Sequence, residues 1–192
     1  MKALAFAAAL VAGLAWTAPA DAAVPTDAEV AQIQQLLGFD VAIERVIAGK
    51  IDNAEEFKGF SASQRGCIKG QLLPEFRTSM VDAFRQLFGD GETIAAWTRF
   101  GQTQGGAKFV AGMRAQVKGN IDNAVDGAPK AEAVEFFKGM NAEELMQVME
   151  FMQSPAAKVL EREFPDTDVS PAQIEQLGQR VSERCGIEMP KA

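Results

Sequence analysis

Apolar residues along this chain recur three and four positions apart, the spacing of one face of an α-helix. Thr26 and Glu29 form a capping box ahead of Val30, Ile33 and Leu37, and Gly38 stops that helix. Asp40 is placed to cap the next, with Ile43, Val46 and Ile47 inward. Asn53 and Glu56 predict another box before a short turn holding Phe57 and Phe60. Ser61 and Gln64 repeat the device before Cys67, Ile68 and Leu72, in a segment weakened by Gly66 and Gly70. Pro74 suits a first helical position. The stripe that follows it, Phe76, Met80, Ala83, Phe84 and Leu87, is the clearest amphipathic pattern in the chain, and Gly89 ends it.

Ile94, Trp97 and Gly101 open a further helix, and Val110, Met113 and Val117 mark another. Residues 119–128, rich in Asn, Asp and Gly, predict a loop. Pro129 is expected to start a helix through Val134 and Phe137. Asn141 and Glu144 cap a helix with Leu145, Val148, Met149 and Met152. Ser154-Pro155 breaks that helix and restarts the chain as another, to about Phe164. Ser170-Pro171 does the same for a final helix that ends at Cys185-Gly186. No segment sustains period-two alternation, and Asp90-Gly91 and Asp126-Gly127 lie between helical patterns, not between β-branched runs. The expected fold is all-α, a single-domain multi-helix bundle.

An internal echo adds to this. Glu92-Thr93-Ile94 aligns with Glu143-Glu144-Leu145, and the same offset pairs Trp97 with Val148, Phe100 with Phe151 and Thr103 with Ser154. Phe109 falls opposite Leu160. Each copy reads as a helix, a break at a polar capping residue and a second helix, so two similar hairpins packed face to face are expected. A weaker echo relates Phe57-Lys58-Gly59-Phe60-Ser61 to Phe137-Lys138-Gly139-Met140-Asn141, both ending in an N-cap.

The first residues have the pattern of a secretory leader. Lys2 precedes an apolar run from Ala3 to Trp16, too short to span a bilayer, and small residues then offer cleavage after Ala20 or Ala22. The organisation expected is a signal peptide over 1–22 and a helical domain over 23–192. The destination is the periplasm, or the medium if the cell has a single membrane. The two cysteines, Cys67 and Cys185, then suggest one disulfide closing a long loop, worth roughly 4–5 kcal/mol in the chain-entropy view. Cys185 continues the stripe Ile174, Leu177 and Val181. The alternative is a pair of unbonded buried thiols.

Glu150-Phe151-Met152-Gln153-Ser154-Pro155-Ala156-Ala157, preceded by Asn141-Ala142-Glu143-Glu144-Leu145, resembles the C-terminal signature of a bacterial exported family, domain of unknown function 2059. The likeness centres on 141–165. Met152 stands where that pattern has an aromatic residue, and Ala157 where it has Gly. The resemblance implies a small, helical, exported domain and brings no catalytic residue or substrate.

Composition removes several chemistries. The chain has 192 residues, a net charge of −7 and no His, so it lacks the usual general base, the commonest metal ligand and the basic face that nucleic acid requires. Ser154 and Lys158 lack the spacing of a Ser-Lys dyad, and Ser154 is better explained as a cap. Glu143, Glu144, Glu150, Glu161 and Glu163 could pair for acid–base work, although the first two suit a helix start. Asp122 and Asp126 only partly match a calcium loop. Gln104-Gly105-Gly106-Ala107-Lys108 departs from the phosphate-loop pattern and suits a tight helix–helix turn. Met146, Met149 and Met152 could offer thioethers to Cu(I), against the competing account that they fill the core.

No catalytic residue and no cofactor is therefore expected. Thr26, Ser61, Asn141, Ser154 and Ser170 are assigned as structural caps. The expected function is that of a soluble, exported, non-enzymatic helical protein that contacts another envelope protein. The alternative is carriage of an apolar small ligand or lipid, for which the thirteen Phe (twelve once Phe6 leaves with the leader) and the seven Met beyond Met1 supply lining material.

Overall fold

The computed structural model describes residues 23–126, 135–165 and 170–188. The proposed leader, 1–22, lies outside the described residues, as does most of the helix expected from Pro129. Among the described residues seven α-helices follow one another: α1 Asp27–Leu37, α2 Ala42–Asn53, α3 Ala62–Phe88, α4 Gly91–Gln102, α5 Gln104–Asp126, α6 Ala142–Met152 and α7 Pro171–Cys185. Short 3-10 helices span Glu55–Phe57 and Pro155–Glu161, and the described residues contain no strand. The fold is all-α, as the apolar spacing predicts.

Local chemistry sets most boundaries. Thr26, Ser61, Asn141 and Ser170 each accept from the N3 backbone N–H, and Glu29, Gln64, Glu144 and Gln173 reach back to the cap. Gly38, at φ 82°, ends α1 in the left-handed conformation that glycine adopts without a Cβ penalty. Other expectations are corrected. Asp40 is not the cap of α2. Its N-cap is Val41, which leaves Asp40 one residue too early to serve the first turn. Asn53 and Glu56 form no box, because Asn53 is the last residue of α2 and its amide donates to the Val125 carbonyl. Pro74 does not start a helix but lies inside α3. Its ring deprives the Gly70 carbonyl of a donor, but both residues are exposed and water can take that place.

Residues 119–126 are helical and not a loop, since Val117, Ile121 and Val125 keep a helical face through the polar stretch. Phe136–Gly139 form a turn, so the expected helix does not reach Phe137. After Ser154 the chain continues as a 3-10 helix, not an α-helix, and only to Glu161. Ser154 holds the N-cap position without making the capping bond, and its hydroxyl is buried with no partner.

Two clusters form the core. Val30, Ile33 and Leu37 of α1 join Phe84 and Phe88 of α3, Ile94, Trp97 and Phe100 of α4, Phe109 of α5 and Val148 and Phe151 of α6. Phe100 and Phe151, matched in the internal echo, stack with ring centres 3.9 Å apart and planes within 3°. Trp97 packs edge-on to Phe151 and donates its indole N–H to the Ala156 carbonyl at 2.9 Å. The second cluster gathers Ile43, Ile47 and Ile51 of α2, Ile68 of α3, and Val181 with Ile187 at the α7 end. Met80 touches both clusters.

Gly105 and Gly106 set how closely the first cluster closes. A Cβ on Gly105 would stand 2.2 Å from the Glu144 carbonyl oxygen, and one on Gly106 1.8 Å from that of Phe100. The N-terminus of α5 therefore lies directly on backbone of α4 and α6. The Gly105 N–H donates to Gln147 Oε1 at 2.8 Å, and Thr103 Oγ1 accepts from Gly106. Cys67 and Cys185 are bonded across 118 positions, with Cα atoms 5.8 Å apart, and fasten α7 to α3. That is the element on which α7 chiefly packs.

Two outcomes follow from this packing. Gly105→Ala should lower stability by about 2 kcal/mol or more, whereas Gly66→Ala, whose Cβ meets open space in α3, should raise it by about 0.5–1 kcal/mol. Thermal melts of the two variants check the contrast in sign. Replacing both cysteines by Ser should cost about 2–5 kcal/mol, and limited proteolysis should then cut α7 at Arg180 or Arg184 before the rest of the chain.

Candidate functional site

The second cluster is incompletely filled. Helix α2 packs on both α3 and α5, which scarcely touch one another, so the three form a groove with α2 as floor and the other two as walls. The floor presents Ala42, Ile43, Val46, Ile47 and Ile51. Leu72, Phe76 and Met80, four apart on α3, make one wall, and Val117, Asn120 and Ile121 on α5 make the other. Phe39 closes one end, positioned by the Gly38 turn and packed edge-on to Phe84 at 5.1 Å. The cavity measures about 470 Å3, within the range of small-molecule sites. Lys50 is the one charged residue lining it, and Asn120 the one uncharged polar residue. From Ala42 to Ile51 the floor runs about 14 Å at helical rise.

Charged side chains hold the walls apart and in place. Glu44 pairs with Arg77, and Asp52 with Lys69 at 2.7 Å and Arg65 at 3.6 Å, tying α2 to α3. Arg45 pairs with Asp126 at 2.5 Å and Asp122 at 3.8 Å, tying α2 to α5. A hydrogen bond from Lys118 holds the Asp122 carboxyl below its ordinary value, against the opposing effect of burial. Gly49 lets the α5 end close in, since a Cβ there would lie 1.9 Å from Val125 Cγ1.

The sequence pointed to parts of this site and missed others. Ile43, Val46, Ile47, Met80 and Val117 are where their stripes place them, and Phe76 stands half-open over the groove. Lys50, Asn120 and Ile121 were not anticipated. The first looks like an ordinary C-terminal helix cation. The other two fell in the expected loop, although the four-residue spacing of Val117, Ile121 and Val125 carries the signal.

The remaining sequence candidates lie elsewhere. Met146, Met149 and Met152 do not fill the core. They are 64%, 60% and 46% exposed, because α6 turns Val148 and Phe151 inward and this face outward. Glu143, Glu150, Glu161 and Glu163 are exposed, and so is Lys158. Glu144 alone is buried. It accepts from the Asn141 N–H at 2.9 Å and from Lys108 Nζ at 2.7 Å, while that ammonium also donates to the Gly139 carbonyl. Asp122 and Asp126 lie on α5 in ion pairs and form no calcium loop over the described residues. Gly105 and Gly106 lie within the first turn of α5.

No family model, curated protein or solved structure matches the chain, so the likeness to domain of unknown function 2059 rests on the residues of 141–165 themselves.

The Lys108 hydrogen bond, followed by that of Asn141, holds the Glu144 carboxyl below its ordinary value, and burial opposes them. A carboxyl with a lower pKa in the folded than in the unfolded chain contributes stability that is present above its unfolded value. That stability is lost as pH falls through its folded value. Glu144→Gln should therefore be less stable than the parent at neutral pH, with the gap narrowing below the ordinary glutamate range. Urea unfolding across that range measures it.

Proposed function

We propose that the chain is an exported carrier of an apolar small ligand, held in the groove between α2, α3 and α5. The observation that carries this reading is the groove itself, about 470 Å3 of almost wholly aliphatic and aromatic lining. Burying an apolar chain against such a lining gains roughly 25 cal/mol per Å2 of apolar surface, the same driving force that folds the core. A long, narrow floor suits an extended hydrocarbon better than a compact ring system. No helix among the described residues is long and apolar enough to cross a membrane. The disulfide fits an oxidising compartment, and with the leader pattern of 1–22 it supports residence in the periplasm, or outside a single-membrane cell. The resemblance at 141–165 agrees with an exported helical domain.

Contact with an envelope protein is the second reading. It draws on the open methionine face of α6, where Met146, Met149 and Met152 offer the adaptable apolar surface that protein contacts use.

Val117→Trp would fill the groove from the α5 wall, at a position that belongs to neither core cluster. Native mass spectrometry of protein taken from its own envelope fraction should show a bound apolar molecule on the parent. Titration with an environment-sensitive apolar dye should show binding at least tenfold weaker in the variant at an unchanged melting temperature. Equal binding by the two proteins would place the ligand elsewhere.

A further inference from the structure

Resting on the groove reading, we infer that the ligand is an anionic amphiphile whose head group sits between Lys50 and Asn120, with its hydrocarbon chain lying along α2 toward Phe39. Helix α2 carries four charged side chains: Glu44, Arg45, Lys50 and Asp52. Glu44 and Asp52 are paired to cations of α3, and Arg45 to carboxylates of α5. Lys50 is the exception. It lines the cavity, and its ammonium has no ion-pair or hydrogen-bond partner among the described residues.

Asn120 lines the same cavity from the α5 wall. Its Oδ1 accepts from Gln116 Nε2 at 3.2 Å, which leaves the amide NH2 as a free donor. The unused polar capacity of the groove is thus an ammonium and an amide donor, and it contains no unused acceptor from a carboxylate. An ammonium beside an amide N–H favours a group that accepts, and a negative charge strengthens both bonds. Glu44, Asp52, Asp122 and Asp126, the carboxylates of the rim, are each engaged by a cation, so none competes for Lys50. Lys50 lies near the end of α2 and Phe39 before its start, so the head and tail ends of the ligand are set apart by the length of that helix.

A carboxylate and a phosphate would both satisfy these donors, and the test separates them. Laurate, dodecyl phosphate, dodecanol and dodecylamine share one chain length and differ in the head group. Each is used to displace the apolar dye from the full chain. Laurate, dodecyl phosphate or both should displace it at concentrations about tenfold lower than dodecanol, and dodecylamine should be weaker than the alcohol. The tighter of the two anions identifies the head-group source. Lys50→Gln should bring anion and alcohol within about twofold while leaving dodecanol unchanged, and Asn120→Leu should remove part of the preference. A role for Lys50 confined to the α2 helix dipole would change the melting temperature and not the preference. Equal displacement by anion and alcohol, or a preference that survives Lys50→Gln, would overturn the inference while leaving the groove reading intact. Failure of all four compounds, or of the dye itself, would overturn the groove reading and this inference together.

Discussion

The architecture depends on two glycines that let backbone meet backbone. At Gly105 and Gly106 the first turn of α5 touches the main chain of α6 and α4, at a distance no side chain would permit. That contact brings Phe100 and Phe151 into a parallel stack and gives Trp97 its partner on the following 3-10 segment. It also aims α5. Once the N-terminus of that helix is fixed against the first core cluster, its remaining turns run past α2, where Val117, Asn120 and Ile121 become a wall. The groove is therefore a consequence of packing at the far end of the helix that bounds it.

The groove persists because its walls are held at their rims and not filled between them. Ion pairs from α2 reach outward to both neighbours, and exposed pairs of this kind stabilise little individually. Their effect here is geometric, fixing which faces of α3 and α5 look toward the floor. Gly49 draws α5 close at one end, while Phe39 and Phe76 keep bulk at the other end and the mouth. The isoleucines of α2 belong both to the second core cluster and to the cavity surface, so the same residues stabilise the fold and present the site.

Caps and stripes were legible in the sequence because their causes are local. Thr26, Ser61, Asn141 and Ser170 need only a partner three residues on, and each forms the predicted bonds. The disulfide was legible from the leader-like pattern of 1–22 and the cysteine count. What failed depended on surroundings that a linear pattern does not carry. Pro74 is tolerated within α3 because the carbonyl it orphans faces solvent. Residues 119–126 have loop-like composition but keep one apolar face, and packing on α2 overrides their propensity. Ser154 occupies its cap position without the expected bond because the chain beyond it tightens to 3-10 geometry. The methionines of α6 share a helix with buried residues yet point away from them, since Glu144, Val148 and Phe151 occupy the inner face. Lys50 was illegible for a different reason: it is set apart by its ammonium having no partner among the described residues, which only three dimensions reveal.

The covalent link between α3 and α7 bears on how the chain matures. With Cys67 and Cys185 as its sole thiols, the polypeptide has a single intramolecular way to cross-link. Biogenesis consequently calls for an electron acceptor but for no shuffling enzyme, since there is no mispaired isomer to correct. The two sulfurs stand 118 positions apart, so closure awaits synthesis of all the chain between them. Oxidation then joins two helices that are separated in sequence by α4, α5 and α6.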